Sequence, residues 1–330
     1  MCAKPFMDNP SITHGPVTGP AYIFQTKMLT ASPQPVTVII VNHNAGELLA
    51  ECVSAALMQA SLVVVVDNAS NDGSMESLAA AFPQHPRLRS TLSAKNVGFA
   101  AGCNIGIALA PATHLLFLNP DCILGDGSLA KLVSVLDAHA DVGMVGGRLT
   151  NLDGTEQGGG RRAVPTPWRS FVRAFGLNAF SQRWPRLFFD FHLHKMPLPE
   201  GPLEVEAISG ALMLVKQSAL VNVGPWDEGY FLHCEDLDWC MRYRQKHWKI
   251  LFVPDAPVLH HLGHSSRARP YFVEWHKHKG MIRFYRKFFN HQYPGGVMWL
   301  VRLGVWFRFG LVVLRHALSA LGRRGGRREN

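Results

Sequence analysis

The sequence predicts an α/β fold with a mostly parallel central sheet flanked by helices. Three observations carry that expectation. Strand-like and helix-like stretches alternate from residue 36 onward. The strand-like stretches are apolar throughout, as strands covered on both faces are. Each of the early strand-like runs also stops in Asn, Asp or Gly, at the edge where open α/β sheets take up ligands.

Residues 36–41 are a β-branched run that stops at Asn42-His43-Asn44 and reads as a buried first strand. Residues 46–60 place Leu48, Leu49, Cys52, Val53, Ala56 and Leu57 at helical spacing. A second strand at 62–66 ends in Asp67-Asn68-Ala69-Ser70-Asn71-Asp72-Gly73-Ser74, and a helix follows over 74–82. A weak strand at 88–92 leads to Lys95-Asn96-Val97-Gly98 and a helix of small residues running to Ala110. Residues 113–118 form a short core strand. Pro120 forbids further ladder pairing and holds the residue before it extended, which sets Asp121 at that strand's carboxyl end.

A helix at 127–139 and a strand at 142–147 come next. Residues 155–203 are rich in Gly, Pro, Arg and Trp and predict an irregular binding loop or lid, with a helix within 167–178. Strand segments at 204–208 and 211–215 flank Ser209-Gly210. A helical turn at 216–221, a helix opening at Cys234 with acids in its first turn, and a strand at 249–253 complete this part.

The totals narrow the class. With 330 residues, 47% of them hydrophobic and 17% charged, the chain can bury a sizeable core. Its six cysteines show no CxxC spacing and read as reduced thiols in a cytoplasmic protein, without a disulfide framework. The net charge of +9 is uneven, since residues 267–330 carry 14 Lys and Arg against Glu274 and Glu329. That concentration predicts a local electrostatic patch and no nucleic-acid partner. Residues 1–35 contain six prolines and no continuous apolar run, which predicts a loosely ordered leader. The expected organisation is this leader, a catalytic domain over 36–266, and a basic, aromatic helical region over 267–330. Neither GxGxxG nor GxxxxGK[ST] is present, and no Ser-His-Asp or Cys-His nucleophile pattern stands out.

Three groups can carry chemistry: Asp121, the cluster Glu235-Asp236-Asp238, and His260, His261 and His264. Carboxylate oxygen, one imidazole and substrate phosphates together suit Mg²⁺ or Mn²⁺. Such an ion neutralises a diphosphate leaving group, while a separate carboxylate deprotonates an attacking hydroxyl. Blander readings stand beside these. Asp121 can be a turn residue, Glu235-Asp236 can complement a helix dipole, and the histidines can be ordinary core or surface residues. Arg161-Arg162 is either a solvated charge run or a phosphate clamp.

The motifs, in order, are 38–44 (VIIVNHN), 66–74 (VDNASNDGS), 96–104 (NVGFAAGCN), 116–121 (LFLNPD), 209–211 (SGA), 224–228 (GPWDE), 231–239 (FLHCEDLDW) and 260–266 (HHLGHSS). This set resembles the family 2 inverting glycosyltransferases of the GT-A fold, closest to the rhamnosyltransferase-like branch that builds O-antigen, capsule and cell-wall linkers. The resemblance covers about residues 36–266 and implies roles position by position. Asn42, Asn44, Asp67, Asn96 and Gly98 would line the nucleotide pocket, with Asn119 beside them in the metal motif; Arg161 joins these donor-site candidates from its Gly-rich loop, not from the resemblance. Asp121 would be the main direct metal ligand, because Asn119 stands where the family's metal motif usually has its first acid; His260 would complete the coordination. Asp236, with Glu235 beside it, would supply the general base, and Trp226 and Asp227 would lie near the acceptor. The implied partners are a dTDP- or UDP-linked sugar and a saccharide or lipid-linked acceptor; the oligomeric state is left open.

Residues 271–290 mix aromatics with bases, and 297–318 are apolar apart from Arg302, Arg308 and Arg315. A spanning helix would bury three arginines, each disfavoured by roughly 2.5–3.5 kcal/mol at the bilayer centre. The expectation is therefore a helix lying in an anionic membrane surface, peripheral on the inner face of the cell membrane, or else packing on the core.

Overall fold

The computed structural model describes residues 33–325 apart from 111, 182, 185, 189, 190, 192 and 262–268. Residues 1–32 of the expected leader, His264, and Arg327-Arg328 lie outside the described residues. In chain order the elements are β1 (Gln34–Asn42), α1 (Leu48–Gln59), β2 (Ala60–Asp67), α2 (Ser74–Ala81), β3 (Leu88–Leu92), α3 (Phe99–Ala108), β4 (His114–Leu118), β5 (Cys122–Leu124) and α4 (Ser128–Ala138). There follow β6 (Val142–Thr150), β7 (Arg161–Arg162), α5 (Pro167–Ala174), β8 (Leu203–Glu204), β9 (Ala207–Ile208), β10 (Leu212–Lys216), α6 (Gln217–Val223) and α7 (Glu235–Gln245). The chain closes with β11 (Lys249–His260), α8 (Pro270–Phe288) and α9 (Gly295–Gly325).

The main sheet has the order β3-β2-β1-β4-β10-β6-β11-β5, with β8 also on β11. Strands β3, β2, β1 and β4 are parallel, as the alternation predicts, and β11 runs parallel to β6. Strand β10 departs from that pattern and inserts antiparallel between β4 and β6. It follows the long 151–203 excursion, which contains the short helix α5. Its reversed direction pairs Leu212 with Leu118, so residues 209–211 arrive beside the carboxyl end of β4.

Alternate residues of each strand enter two cores. Ile39, Val41, Val64 and Val66 face the helices α3, α7 and α8, whereas Val38, Ile40, Val63 and Val65 face α1 and α4. Helix α3 needs small residues for a geometric reason. A Cβ on Gly102 would lie 2.6 Å from Val41, and one on Gly106 would lie 2.3 Å from Ile39. The small-residue run therefore lets α3 press directly on β1.

Strand β11 is longer than expected. Its pairing with β6 slips between Val253 and Pro257, which lets the strand resume past two prolines and carry on to His260. The boundary expected at residue 267 does not separate two cores. Phe284, Tyr285, Phe288 and Phe289 of the C-terminal region pack in the same core as Trp239 and Tyr243. Helix α9 lies along α8 through Trp275–Trp306 and Trp275–Phe309 ring contacts of 5.1 and 5.7 Å. Among the described residues, five cysteines are all buried and none is in a disulfide.

Candidate active site

The strand register assembles the first part of the site. Strand β5 pairs antiparallel with the end of β11, so Cys122 sits opposite His260 and the backbone N–H of His261 donates to the carbonyl of Asp121 at 2.9 Å. Two side chains 139 positions apart thereby meet: Asp121 Oδ1 lies 3.3 Å from His260 Nε2. Both residues are buried.

Gln157, absent from the sequence-based candidates, fixes the imidazole. Its amide nitrogen donates to Asn151 Oδ1 at 3.1 Å and to the His260 carbonyl at 3.3 Å. Its oxygen therefore faces His260 Nδ1 at 2.5 Å, and Nδ1–H is the donor there. The lone pair is left on Nε2, pointed at Asp121, which is the tautomer a metal requires. Cys122 Sγ is within 4.8 Å of both candidate ligand atoms, and burial and the Asp121 charge push its thiol well up. An oxygen and an imidazole nitrogen at this separation fit a divalent cation that completes its shell with phosphate and water.

The second part forms at the start of α7. His233 and Cys234 both adopt positive φ (68° and 71°), a pair of left-handed non-glycine residues directly before the helix. Such conformations cost on the order of 1–3 kcal/mol each and persist where the surroundings enforce them. Helix α8 does so here. A Cβ on Gly280 would stand 2.7 Å from the His233 carbonyl oxygen, so only glycine lets the helix approach this turn. On the other side Phe99 N–H donates to the Phe231 carbonyl at 2.9 Å, and Gly98, at φ +91°, has room for no side chain against it.

Within this turn the two adjacent carboxyl groups differ. Asp236 accepts from Gly210 N–H at 3.2 Å and from Leu237 N–H at 2.7 Å, and it is ion-paired with Arg162. Burial opposes the Arg162 charge, but the neighbouring Asp236 outweighs it and holds the guanidinium protonated. Glu235 is buried and keeps only backbone hydrogen bonds, with its Oε2 unpaired among the described residues. Burial and the Asp236 charge push its carboxyl well above the usual carboxylate range. The two carboxyl groups thus sit in different surroundings, Asp236 against Arg162 and two backbone N–H groups and Glu235 in the buried interior.

One short loop joins the two parts. Ser209 N–H donates to Gly160, Gly210 N–H to Asp236, and the Ala211 carbonyl accepts from Asn119 N–H at 3.0 Å. The antiparallel entry of β10 therefore sets Asn119-Pro120-Asp121 and Asp236 on either side of residues 209–211.

The candidate nucleotide residues cluster at the ends of β1 and β2. The Asn42 amide donates to Asp67 at 2.9 Å and also reaches Ser70 and Ser74, and it is fully buried. Asn44, at φ 56°, accepts from Asn71 N–H. Asn68 links this loop to the next, accepting from Val97 N–H at 2.8 Å and donating to the Gly98 carbonyl at 3.1 Å. Asn96 accepts from Gly98 N–H. An open groove of about 490 Å³ lies beside them, lined by Lys95, Asn96, Val97, Glu228 and Phe231 among others.

Three candidates are placed differently from expectation. Arg161 is 1% exposed, binds Glu156 at 2.8 and 3.0 Å and donates to the carbonyls of Met196 and Pro197. It fastens the 155–197 excursion, and its neighbour Arg162 faces the site instead, because successive residues of β7 point to opposite sides. Trp226 is 2% exposed and lies in the core, 4.1 Å from Trp239 between ring centroids. Asp227 is tied to α8 by Arg283 at 2.8 Å and Lys287 at 2.7 Å. Burial alone would raise its carboxyl, but these bonds and Gly229 N–H bring it down to about 2. Trp226 and Asp227 therefore hold the 224–229 loop against the core and α8.

The comparisons with known proteins agree with this geometry. Residues 37–196 match the model of Glycosyl transferase family 2. The chain carries a family 2 glycosyltransferase domain. It is 27% identical over 301 residues to the N-acetylglucosaminyl-diphospho-decaprenol L-rhamnosyltransferase of Mycobacterium tuberculosis, covering 87% of this chain and 95% of that protein. It is 25% identical over 188 residues to the rhamnosyltransferase WbbL of Escherichia coli, covering 52% of this chain and 63% of that one. Among solved structures, the mannosyltransferase PcManGT of Pyrobaculum calidifontis, in complex with GDP-Man and Mn²⁺, superposes with a TM-score of 0.52 at 17% identity, over 88% of this chain and 76% of that one. The glycosyltransferase domain is thus of GT-A type, and the chain is rhamnosyltransferase-like.

Proposed function

We propose that the protein is an inverting glycosyltransferase of cell-surface glycan synthesis, moving L-rhamnose from dTDP-rhamnose to a lipid-linked saccharide at the inner membrane face. The observation that carries the reading is the placement of the Asp121–His260 pair and Asp236 on either side of residues 209–211. The rhamnosyl donor and lipid-linked acceptor are taken from the M. tuberculosis relative, which aligns over most of both chains.

Asp121 and His260 would hold Mg²⁺ or Mn²⁺, which when bound supplies positive charge to the diphosphate leaving group. The chain's own residues do the rest. The loops around Asn42, Asn44, Asp67, Asn96 and Gly98 shape the nucleoside end. Asp236 accepts the acceptor hydroxyl's proton as the oxygen attacks the anomeric carbon from the face opposite the diphosphate, so one displacement inverts the centre. For that, Asp236 must share or release Arg162, whose guanidinium is then free for a phosphate oxygen. Glu235 keeps its proton beside Asp236, which spares the site a second negative charge.

The C-terminal helix supports membrane attachment. Residues 295–318 are long and apolar enough to cross a bilayer. In the structure one face, with Met298 and Val305, packs inward, and the opposite face exposes Leu300, Leu303, Phe307, Leu311, Leu314 and Leu318. At 100° per residue Arg308 and Arg315 flank that stripe on one side and Trp299 and Trp306 on the other. Because α9 is held along α8, this arrangement suits a helix lying in the interface.

A nucleotide-sugar panel tests the central claim, with binding and hydrolysis measured with and without Mn²⁺. Metal-dependent recognition of dTDP-rhamnose is expected. Absence of binding to every donor, together with no metal effect, overturns the reading.

A further inference from the structure

Outside the site, the largest unexplained feature is a set of exposed aromatic side chains on the 155–203 excursion. Trp168, Phe171 and Phe175 are 44%, 44% and 67% exposed, and Phe180, Trp184 and Leu187 are each at least half exposed. These are not scattered side chains. Trp168 stacks on Phe171 at 5.6 Å, Phe171 meets Phe175 at 4.5 Å, and Phe180 meets Trp184 at 6.4 Å. Trp168 Nε1–H donates to the Leu187 carbonyl at 2.7 Å and joins the two halves into one platform.

The platform is also built to stay outward. Helix α5 begins with Thr166 capping Arg169 N–H and Pro167 in its first turn. Val172, on its inner side, is 1% exposed, and Ser170 Oγ bonds Tyr285 of α8 at 2.7 Å. Among the described residues, the rings on the outer side stay 44–67% exposed. Exposed apolar clusters of this kind mark interaction sites.

Charge identifies the occupant. Residues 167–188 contain Arg169, Arg173, Arg183 and Arg186 and no Asp or Glu. Arg169 is ion-paired with Glu206, and the other three arginines, set among aromatic rings, suit the boundary between anionic headgroups and acyl chains. The position agrees: a groove of about 750 Å³ is lined jointly by Trp168, Arg186 and Leu187, by Glu204 and Glu206, and by Tyr293, in the link between α8 and α9. The platform therefore adjoins the hairpin whose outer face carries the leucine stripe.

We propose that residues 167–188 are a second membrane-contact element, inserting their aromatic rings into the interface of an anionic bilayer. The inference rests on the membrane reading given for α9 but makes a separate demand. A protein held by α9 alone could swivel about one line of contact, whereas two contacts set the orientation of the donor site to the lipid surface.

Hydrogen exchange of the full chain, with and without vesicles containing 30% phosphatidylglycerol, separates the two. Slowed exchange is expected in peptides from both 167–188 and α9. Protection of α9 with 167–188 unchanged overturns this proposal and leaves the α9 reading intact; protection of neither overturns both. The double variant F171S/F175S should weaken vesicle partitioning about tenfold while leaving nucleotide diphosphate binding unchanged. R183E/R186E, which leaves the rings in place, should weaken binding to anionic vesicles far more than to neutral phosphatidylcholine. Unaltered partitioning of both variants, each with unaltered thermal unfolding, also overturns the proposal.

Discussion

Replacing Gln157 with Leu isolates the device that orients His260. The substitution keeps the side chain's bulk but removes the acceptor at 2.5 Å from Nδ1 and the amide that bonds Asn151 and the His260 carbonyl. Gln157 is 3% exposed, so water does not readily replace it. A buried donor left unmade costs about 1–3 kcal/mol. The imidazole can recover part of that by rotating or by moving its proton to Nε2, and either change removes the lone pair that faces Asp121. The expected loss of Mn²⁺ affinity is about 10- to 100-fold, the range for groups that hydrogen-bond the far nitrogen of a metal-bound histidine. Q157E should retain more affinity, because a carboxylate is a stronger acceptor for Nδ1–H. Free Mn²⁺ measured by electron paramagnetic resonance during titration, with donor nucleotide present, gives the dissociation constant. In a His260→Ala background the same substitution should have little further effect, since the two act through one ligand. Wild-type Mn²⁺ affinity in a folded Q157L protein would refute the reasoning.

Further consequences concern the chemistry and the backbone. Asp236→Asn should lower sugar transfer by at least about 100-fold while donor binding persists, read from initial rates and isothermal titration; unchanged transfer sinks the base assignment. Glu235 has a folded value above its ordinary 4.5, so between the two values the folded state holds more protons than the unfolded state, and stability falls as pH rises. Glu235→Gln should flatten that slope in denaturant titrations, and an unchanged slope would contradict the buried acid. Gly98→Ala places a Cβ 2.6 Å from the Phe231 carbonyl at φ +91°, so it should destabilise by at least about 1–3 kcal/mol in chemical denaturation. Asp227→Asn should weaken the tie to α8 chiefly above pH 4. Its depressed carboxyl contributes stability above the ordinary value of 3.8, lost as pH falls toward 2. Urea midpoints across pH that coincide for mutant and wild type would show the tie to be idle.

The sequence by itself determined a good deal. Apolar runs that stop in Asn42, Asp67 and Asn119-Pro120-Asp121 specify strands and the edge they end on, because covered parallel strands have no other periodicity to show. The small residues of 98–106 and the acids after Cys234 are equally local signals, and both elements stand where the pattern puts them. Tertiary structure alone decided what long-range pairing decides. No local pattern announces that β10 runs antiparallel and brings residues 209–211 between Asn119 and Asp236. None announces that β11 survives two prolines to lay His260 beside Asp121. Facing is equally silent. Which of Arg161 and Arg162 meets the site turns on the phase of a two-residue strand, and Trp226 is drawn into the core by Trp239 and Phe117. Gln157 gives no sequence signal at all, since a glutamine in a Gly-rich loop becomes an orienting partner only once the sheet closes around His260. Residue type and period are written locally and can be read directly; contacts between residues a hundred positions apart are fixed by which arrangement buries most apolar surface while satisfying every buried polar group.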